Sequence, residues 1–210
     1  MAKRQSSEEV KDSLLDAVEH LMRKRGLARV TTRDIAQVAG VAEGTMYNHF
    51  PDKSALLVAF MQRAAPATMR DAMTDLPLQV GQHSVRRNLE IVAAAVLNFH
   101  RRVAPIICSL LADASLMAAS RRALKERGVG PNLSSDRLAA YLAAEQRLGR
   151  VAPGLNVQAA VELLLGASFK IAVADHLFGK PIEAAKDRKQ IKDLVGAFLS
   201  GLEPRQERQA

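Results

Sequence analysis

Apolar residues recur at helical spacing through most of this chain. The N-terminal stripe consists of Val10, Leu14, Ala17, Val18 and Leu21. A longer seam, with alternating spacings of four and three, consists of Val85, Leu89, Val92, Val96, Phe99 and Val103. This periodicity predicts amphipathic helices that pack through one face. Because Ala and Leu are abundant and β-branched runs are few, the pattern predicts an all-α fold of about nine or ten helices.

Glycine and proline mark the expected interruptions. Pro66 should kink or end the fourth helix near Ala65, since proline cannot donate its backbone hydrogen bond. The stretch 75–82 (DLPLQVGQ) is predicted to be a loop. A long helix is expected over about 84–103, and Pro105 is expected to open the next one.

The stretch Thr31 to Lys53, TTRDIAQVAGVAEGTMYNHFPDK, predicts two short helices joined by a tight turn. Thr31 can cap the first helix, with Asp34 three residues later as its capping-box partner. Gly40 can end that helix, because glycine adopts positive φ without steric strain. A second helix is predicted from Glu43 to Phe50. Two helices joined by a short turn containing glycine are typical of a helix-turn-helix.

This stretch resembles the DNA-binding segment of the TetR/AcrR family of transcriptional regulators. The family pattern is T-x-x-x-I-A-x-x-A-G-V-S-x-G-T-L-Y-x-H-F-x-x-K. The matching residues are Thr31, Ile35, Ala36, Ala39, Gly40, Val41, Gly44, Thr45, Tyr47, His49, Phe50 and Lys53. The resemblance implies a three-helix DNA-binding domain over residues 1–53 and a larger helical ligand-binding and dimerisation domain over 54–210. It also implies a homodimer that binds a palindromic operator in double-stranded DNA, and repression as the default action.

The predicted DNA-binding residues are Thr31, Arg33, Gly44, Thr45, Tyr47, Asn48, His49 and Lys53. The resemblance assigns Tyr47 and His49 mainly to phosphates, and we expect Lys53 to neutralise another. Arg33 is long enough to reach a guanine edge, whereas Thr45 and Asn48 are assigned to phosphates or base edges. Gly44 admits close approach of the backbone to DNA.

Two features weaken the DNA interpretation. The net charge is +8, but residues 1–53 contain nine basic and eight acidic residues, so bulk charge does not single out this end. Position 42 is Ala where the family has Ser, so it cannot cap the second helix. Glu43 would repel phosphate and is a doubtful DNA contact. The alternative is a helical interaction protein whose helix-turn-helix no longer binds DNA.

The resemblance also implies a small-molecule effector, whose identity the sequence does not reveal. Candidate pocket residues are Met61, Met69, Val92, Val96, Phe99, His100, Ile107, Cys108, Leu111, Leu138 and Tyr141. At helical spacing such residues are more often plain core, with Cys108 as a small core residue and His100 as a surface or satisfied histidine. The last two helices, about 157–178 and 182–202, should form the dimer interface. Its candidate residues are Leu164, Ser168, Ile171, Ile191, Val195 and Phe198.

Catalytic and membrane functions have no support in the sequence. It has no metal-spaced His, Cys, Asp or Glu cluster, no nucleophile elbow and no phosphate-binding loop, so we expect no enzyme, cofactor or metal. Cys108 is the single cysteine, which excludes an internal disulfide and agrees with a reducing compartment. We expect no secretory signal or membrane span and a cytoplasmic location.

Overall fold

The computed structural model describes residues 6–25, 30–65, 67–126, 128, 130, 132–180 and 183–200. Within these ranges every regular element is helical, which confirms the all-α prediction. In chain order the helices are α1 (Ser7–Arg25), α2 (Thr32–Val38), α3 (Glu43–His49), α4 (Lys53–Ala64), α5 (Ala67–Asp75), α6 (Val85–Leu111), α7 (Ala114–Glu126), α8 (Asn132–Arg147), α9 (Val157–Leu177) and α10 (Ala184–Ser200). A 3₁₀ turn, Leu76–Gln79, follows α5.

Contacts divide the chain into two compact units. The first comprises Met1–Ala64 and Val103–Val129, and the second comprises Ala65–Arg102 and Gly130–Ala210. The predicted boundary after Lys53 stays a prediction. Each unit has its own core.

In the first unit, α1 packs on α2, α3 and α4, and α4 packs extensively on α7. The predicted apolar stripe of α1 is buried from Val10 to Leu21. Its start carries a capping box, in which Ser6 Oγ accepts from the Glu9 N–H and the Glu9 carboxylate accepts from the Ser6 N–H. Burial of the stripe removes apolar side chains from water and so stabilises the unit.

In the second unit, α8 is the central helix. It packs on α9, α5 and the 3₁₀ turn, and α10 packs on α9. Leu138, Tyr141 and Leu142 on α8 are almost completely buried. The predicted seam of α6 is buried from Val85 to Val96, as its spacing indicated.

The prediction that Pro105 opens a new helix is wrong, because α6 continues through it to Leu111. Proline cannot donate to the carbonyl four residues earlier, so the Arg101 carbonyl loses its partner within the helix. His176 on α9 replaces it, since its Nε2–H donates to the Arg101 oxygen at 2.5 Å. The orphaned carbonyl is thereby satisfied and the helix need not end.

Other expected interruptions are shifted. The stretch predicted as a loop over 75–82 contains the end of α5 and the 3₁₀ turn, because Leu76 is buried and holds the turn against the core. Pro66 lies outside the described residues, although α4 ends at Ala64 and α5 begins at Ala67, where the prediction placed an interruption. The predicted bounds of the last helix, 182 and 202, also lie outside the described residues.

Two helices are long and apolar enough to cross a membrane by length and composition alone. They are Val85–Leu111, with mean hydropathy 1.4, and Val157–Leu177, with mean hydropathy 1.6. Half of the most apolar window of α6 is buried, whereas only 28 % of the corresponding window of α9 is buried. Core helices pass the same test, so α9 is notable mainly for the apolar surface that it exposes.

Candidate DNA-binding site

The candidate site begins with a well-capped α2. Thr31 is the N-cap residue, and its Oγ accepts from the Asp34 N–H at 3.1 Å. The Asp34 carboxylate accepts from both the N–H and the hydroxyl of Thr31, at 2.9 and 2.8 Å. The predicted capping box is therefore present. Because both ends of the Thr31 hydroxyl are engaged locally, its main structural role is to fix the start of α2.

The turn between α2 and α3 depends on Gly40. Its φ is +71°, a left-handed conformation that residues with a Cβ rarely adopt. The Gly40 N–H donates to the Gln37 carbonyl and the Val41 N–H donates to the Ala36 carbonyl, which closes the C-terminus of α2. This turn redirects the chain so that α3 packs across α2 through the buried side chains Ile35 and Ala36.

Helix α3 exposes one polar face. Met46 is completely buried and Phe50 nearly so, and these two residues hold the helix in place. Gly44, Tyr47 and Asn48 are exposed, and Thr45 and His49 are half-buried. Ala42 provides no side-chain cap, as the sequence indicated. On α2, Val38 is 46 % exposed, whereas Ala36, two positions earlier, is buried.

A chain of hydrogen bonds connects the open faces of α2 and α3. The Tyr47 hydroxyl donates to Thr32 Oγ1 at 3.4 Å. The Thr32 hydroxyl in turn donates to Glu43 Oε1 at 2.7 Å. This connection is not predictable from the sequence, because the contact between positions 32 and 43 depends on how the two helices cross.

Lys53 has a structural role in addition to its predicted one. Its Nζ donates to the Val30 carbonyl at 2.5 Å, which fastens the start of α4 to the segment entering α2. Burial lowers the pKa of Lys53, and the nearby carboxylates of Asp113 and Asp34 oppose that effect. Asp52 accepts from the Ala55 N–H at 2.8 Å and caps the start of α4.

The eight predicted DNA-binding residues thus fall into two groups. Six lie on the accessible surface of α2 and α3, namely Arg33, Gly44, Thr45, Tyr47, Asn48 and His49. The other two, Thr31 and Lys53, hold the elements together through their polar side-chain atoms. The two helices therefore present a continuous set of polar and basic groups on a rigid support.

The predicted pocket residues are divided between the two units. Met61, Ile107, Cys108 and Leu111 belong to the first unit, and the remaining seven belong to the second. Cys108 is exposed and Leu111 is 70 % exposed, so the structure corrects their assignment to an enclosed pocket or core. Both residues lie near the C-terminal end of α6, after the apolar seam that ends at Val103. The spacing of the seam therefore does not predict which of these later positions are buried. Met69, Val92, Val96, Leu138 and Tyr141 are buried in the second unit.

His100 is a satisfied histidine, as expected. Ser168 Oγ donates to the Leu165 carbonyl at 2.7 Å, so its lone pair accepts from the His100 Nδ1–H at 2.9 Å. The ring also meets Phe169 edge-on at 5.4 Å between centroids. Burial lowers the pKa of His100 to about 4. The imidazole is therefore neutral at physiological pH.

A buried polar cluster surrounds Tyr141, another predicted pocket residue. Asn88 Nδ2 donates to the Tyr141 oxygen at 3.0 Å and to the Gln82 carbonyl at 3.1 Å. Glu145 is fully buried, accepts from the Gly81 N–H and lies 3.2 Å from Arg150. Burial raises the pKa of Tyr141 to about 12. These contacts fix the loop that precedes α6, which is a sufficient structural reason for the cluster.

A second cluster, also missed from the sequence, centres on Arg101. Its guanidinium is 7 % exposed and contacts two carboxylates, Asp175 on α9 and Asp187 on α10. Four hydrogen bonds of 2.7–2.9 Å connect the three side chains. The sequence gives no direct signal for this cluster because Arg101 is more than 70 positions from either aspartate. It joins α6, α9 and α10 within the second unit.

The predicted dimer residues lie mainly inside the second unit. Leu164, Ser168, Ile191 and Val195 are buried by contacts within the chain, and Ile171 and Phe198 are half-buried. Contacts within the chain therefore account for these four residues, because the most regular apolar positions of α9 and α10 face their own core, and the dimer interface stays a prediction. The neighbouring face forms an apolar groove of about 660 Å³, whose lining includes Leu163, Gly166, Ala167, Ile171 and Leu194.

No group of three or more His, Cys, Asp or Glu side chains suited to a metal ion occurs in the part of the chain that the structure describes.

Comparison with known proteins supports the interpretation of the N-terminal segment as a helix-turn-helix of the TetR type. Residues 14–60 match the family model of bacterial regulatory proteins of the tetR family. The nucleoid occlusion factor SlmA of Marinobacter nauticus is 32 % identical over 104 residues, which are 50 % of this chain and 52 % of that protein. The HTH-type transcriptional regulator TtgR of Pseudomonas putida is 38 % identical over 58 residues, 28 % of each chain. The chain therefore matches about half or less of the length of these relatives.

Solved structures match over nearly the whole chain. A protein of Mesorhizobium loti assigned to the TetR family has a TM-score of 0.71 and 19 % identity, covering 95 % of this chain and 100 % of that one. The transcriptional regulator FadR of Bacillus subtilis, in complex with stearoyl-CoA, has a TM-score of 0.68 and 17 % identity, covering 90 % and 98 %. At these identities the likeness is one of fold.

An all-α chain with a capped helix-turn-helix and an exposed polar second helix belongs to the helix-turn-helix class of proteins. Within that class, residues 14–60 are similar to the tetR family of bacterial regulatory proteins, and the chain as a whole has the fold of solved structures assigned to that family.

Proposed function

We propose that the protein is a sequence-specific DNA-binding regulator of transcription rather than an enzyme. The observation that carries this proposal is the exposed polar face of α3, supported from below by the buried Met46 and Phe50. A short helix held in this way can enter the major groove with its side chains directed at base edges. The match of residues 14–60 to the tetR family of bacterial regulatory proteins supports the same function.

The exposed side chains suit distinct parts of this task. Arg33 and Asn48 are exposed and carry groups that pair with guanine and adenine edges. Tyr47 and His49 are assigned to phosphates, which set register without reading sequence. Thr45 is assigned either to a phosphate or to a base edge. Thr31 and Lys53, whose side chains are engaged internally, contribute mainly by holding α2 and α4 in position.

The protein is proposed to act as a homodimer through α9 and α10. Helix α9 has a mean hydropathy of 1.6 with only 28 % of its most apolar window buried, and an apolar surface of this kind favours a partner. Gly166 and Ala167 in the groove would let the helices of two copies approach closely. A two-fold axis would place the same groove on both sides of the interface.

The dimer is tested by Leu163→Glu, which puts a charge on a side chain that is 71 % exposed in the groove region. Leu78→Glu is the matched control, because Leu78 is 73 % exposed in the same unit but lies on the 3₁₀ turn. Sedimentation velocity should show a dimer for the wild type and Leu78→Glu, and a monomer for Leu163→Glu. A dimer in all three would refute this interface.

Two copies of the α2–α3 helix-turn-helix, related by a two-fold axis, would recognise a palindromic operator whose half-sites are separated by one or more turns of the DNA helix. We further propose that a small molecule binds the second unit and changes DNA affinity, since the similar fold of Bacillus subtilis FadR was solved with stearoyl-CoA. Repression is the proposed action and the cytoplasm the proposed location.

Selection of DNA from a random pool by the purified protein, followed by sequencing, tests the proposed function. A palindromic motif is the expected result. Failure to enrich any motif at low salt, also after unfolding and refolding to remove a copurified small molecule, would refute sequence-specific binding. It would favour the alternative, a helical interaction protein that no longer binds DNA.

A further inference from the structure

The feature that carries a further inference is the carboxylate of Glu43 at the first position of α3. Its Oε1 accepts from the Thr32 hydroxyl at 2.7 Å, and Thr32 accepts from the Tyr47 hydroxyl at 3.4 Å. Among the described residues, the second oxygen, Oε2, has no hydrogen-bond partner. The Thr32 hydroxyl, which itself accepts from Tyr47, thus orients the Glu43 carboxylate, and Oε2 remains available as an acceptor.

A carboxylate at this place disfavours binding to phosphate, so it restricts what α3 can contact. In the major groove it needs a base that presents a donor. Guanine presents two acceptors, and thymine presents an acceptor and a methyl group. Adenine presents a donor, but its N7 acceptor stands beside that donor and would repel the charge. Cytosine presents its N4 amino group, which is the known partner of Glu and Asp.

We propose that Glu43 is a specificity-determining residue that reads one cytosine in each half-site through Oε2, and that Thr32 is the positioning residue that orients it. This inference rests on the proposed function, because it requires α3 to lie in the major groove. The N-terminal residues of such helices contact base edges, which is where Glu43 stands. The sequence alone suggested a poor DNA contact at this position, whereas the hydrogen-bonded geometry gives it a specific partner.

Parallel selections from a random DNA pool test the proposal with the wild type, Glu43→Gln and Thr32→Val. The wild type should enrich a motif with one position at which cytosine exceeds the other bases by about fivefold or more. Glu43→Gln should move the preference at that position from cytosine to adenine, because an amide pairs with adenine through a donor and an acceptor. All other positions should keep their preferences.

Thr32→Val keeps the shape of the side chain but removes the hydroxyl. It should retain cytosine at the same position with a weaker preference, since the carboxylate is no longer held. Glu126→Gln is the control for charge, because Glu126 is exposed at the end of α7 in the same unit. It removes the same charge and should leave the motif unchanged.

The outcomes separate this inference from the proposed function. A wild-type protein that enriches no motif refutes the proposed function. A wild-type motif that Glu43→Gln leaves unchanged at every position refutes the role of Glu43 while the proposed function stands. A purely structural role for Glu43 would alter affinity or thermal stability equally for all sequences, so a change of preference at a single position is the decisive result.

Discussion

Replacing Arg101 with methionine should destabilise the second unit strongly. The guanidinium is buried and donates four hydrogen bonds to Asp175 and Asp187. Burial alone would lower the pKa of Arg101, but the hydrogen bonds and charges of the two carboxylates raise it. Methionine fills similar volume without charge, so the variant leaves two carboxylates close together with no cation.

The expected loss follows from the surroundings of these carboxylates. Removing one partner of a buried ion pair costs about 3–5 kcal/mol. The side chains of Asp175 and Asp187 are 16 % and 18 % exposed, so water can solvate them in part. We therefore expect the lower end of this range, about 3 kcal/mol.

Urea unfolding at a fixed protein concentration measures this loss. Arg87→Met on the same helix is the control, because Arg87 is exposed, and it should change the free energy of unfolding by less than about 0.5 kcal/mol. The triple variant Arg101→Met, Asp175→Asn, Asp187→Asn should recover most of the stability, since it leaves no orphaned charge. A triple variant as unstable as Arg101→Met alone would refute the electrostatic reasoning.

Three further predictions concern single side chains. Thr31→Ala removes the N-cap of α2 and should lower the free energy of unfolding by about 1 kcal/mol in urea, with Thr31→Ser close to wild type. Lys53→Met leaves the Val30 carbonyl without its donor and should lower the free energy of unfolding by about 1–2 kcal/mol. An unchanged free energy of unfolding would show that this hydrogen bond contributes nothing to stability. Burial lowers the pKa of His100 from 6.5 to about 4, so the unfolded chain takes up the proton first as pH falls. The contribution of His100 is complete above about pH 6.5 and is lost towards pH 4, with about 2 kcal/mol lost between about pH 7 and pH 5. His100→Asn should remove that part of the pH dependence, and a variant with the wild-type slope would contradict the assignment.

The helix-turn-helix was predictable because its determinants are local. The capping box of Thr31 and Asp34 spans three positions, and the positive φ of Gly40 follows from the residue type. The α1 stripe was predictable for the same reason, since one helix face is readable from spacing alone. These features depend on neighbours in the chain rather than on distant contacts.

The continuation of α6 past Pro105 was not predictable, because it depends on His176. The imidazole that satisfies the Arg101 carbonyl comes from a helix more than 70 positions later. The rule that proline ends a helix describes the usual outcome, but here a hydrogen-bond donor from a distant part of the chain replaces the bond that proline cannot make.

Most of the predicted dimer residues lie one face away from the exposed groove for a different reason. Helix α9 is apolar on nearly all sides, so periodicity cannot tell the face that packs on its own unit from the face left open. Leu163 and Leu164 are adjacent and chemically identical, yet the first is exposed and the second buried. Only the packing of α8 and α10 distinguishes them.

We propose that two copies of the exposed α3 face act together on one DNA site. Titration of a duplex that carries the selected motif, compared with a duplex that carries a single half-site, measures whether they do. Two chains should bind the full site, with an affinity at least about 100-fold higher than for the half-site. One chain per duplex, with equal affinity for both duplexes, would show that the two copies do not act together.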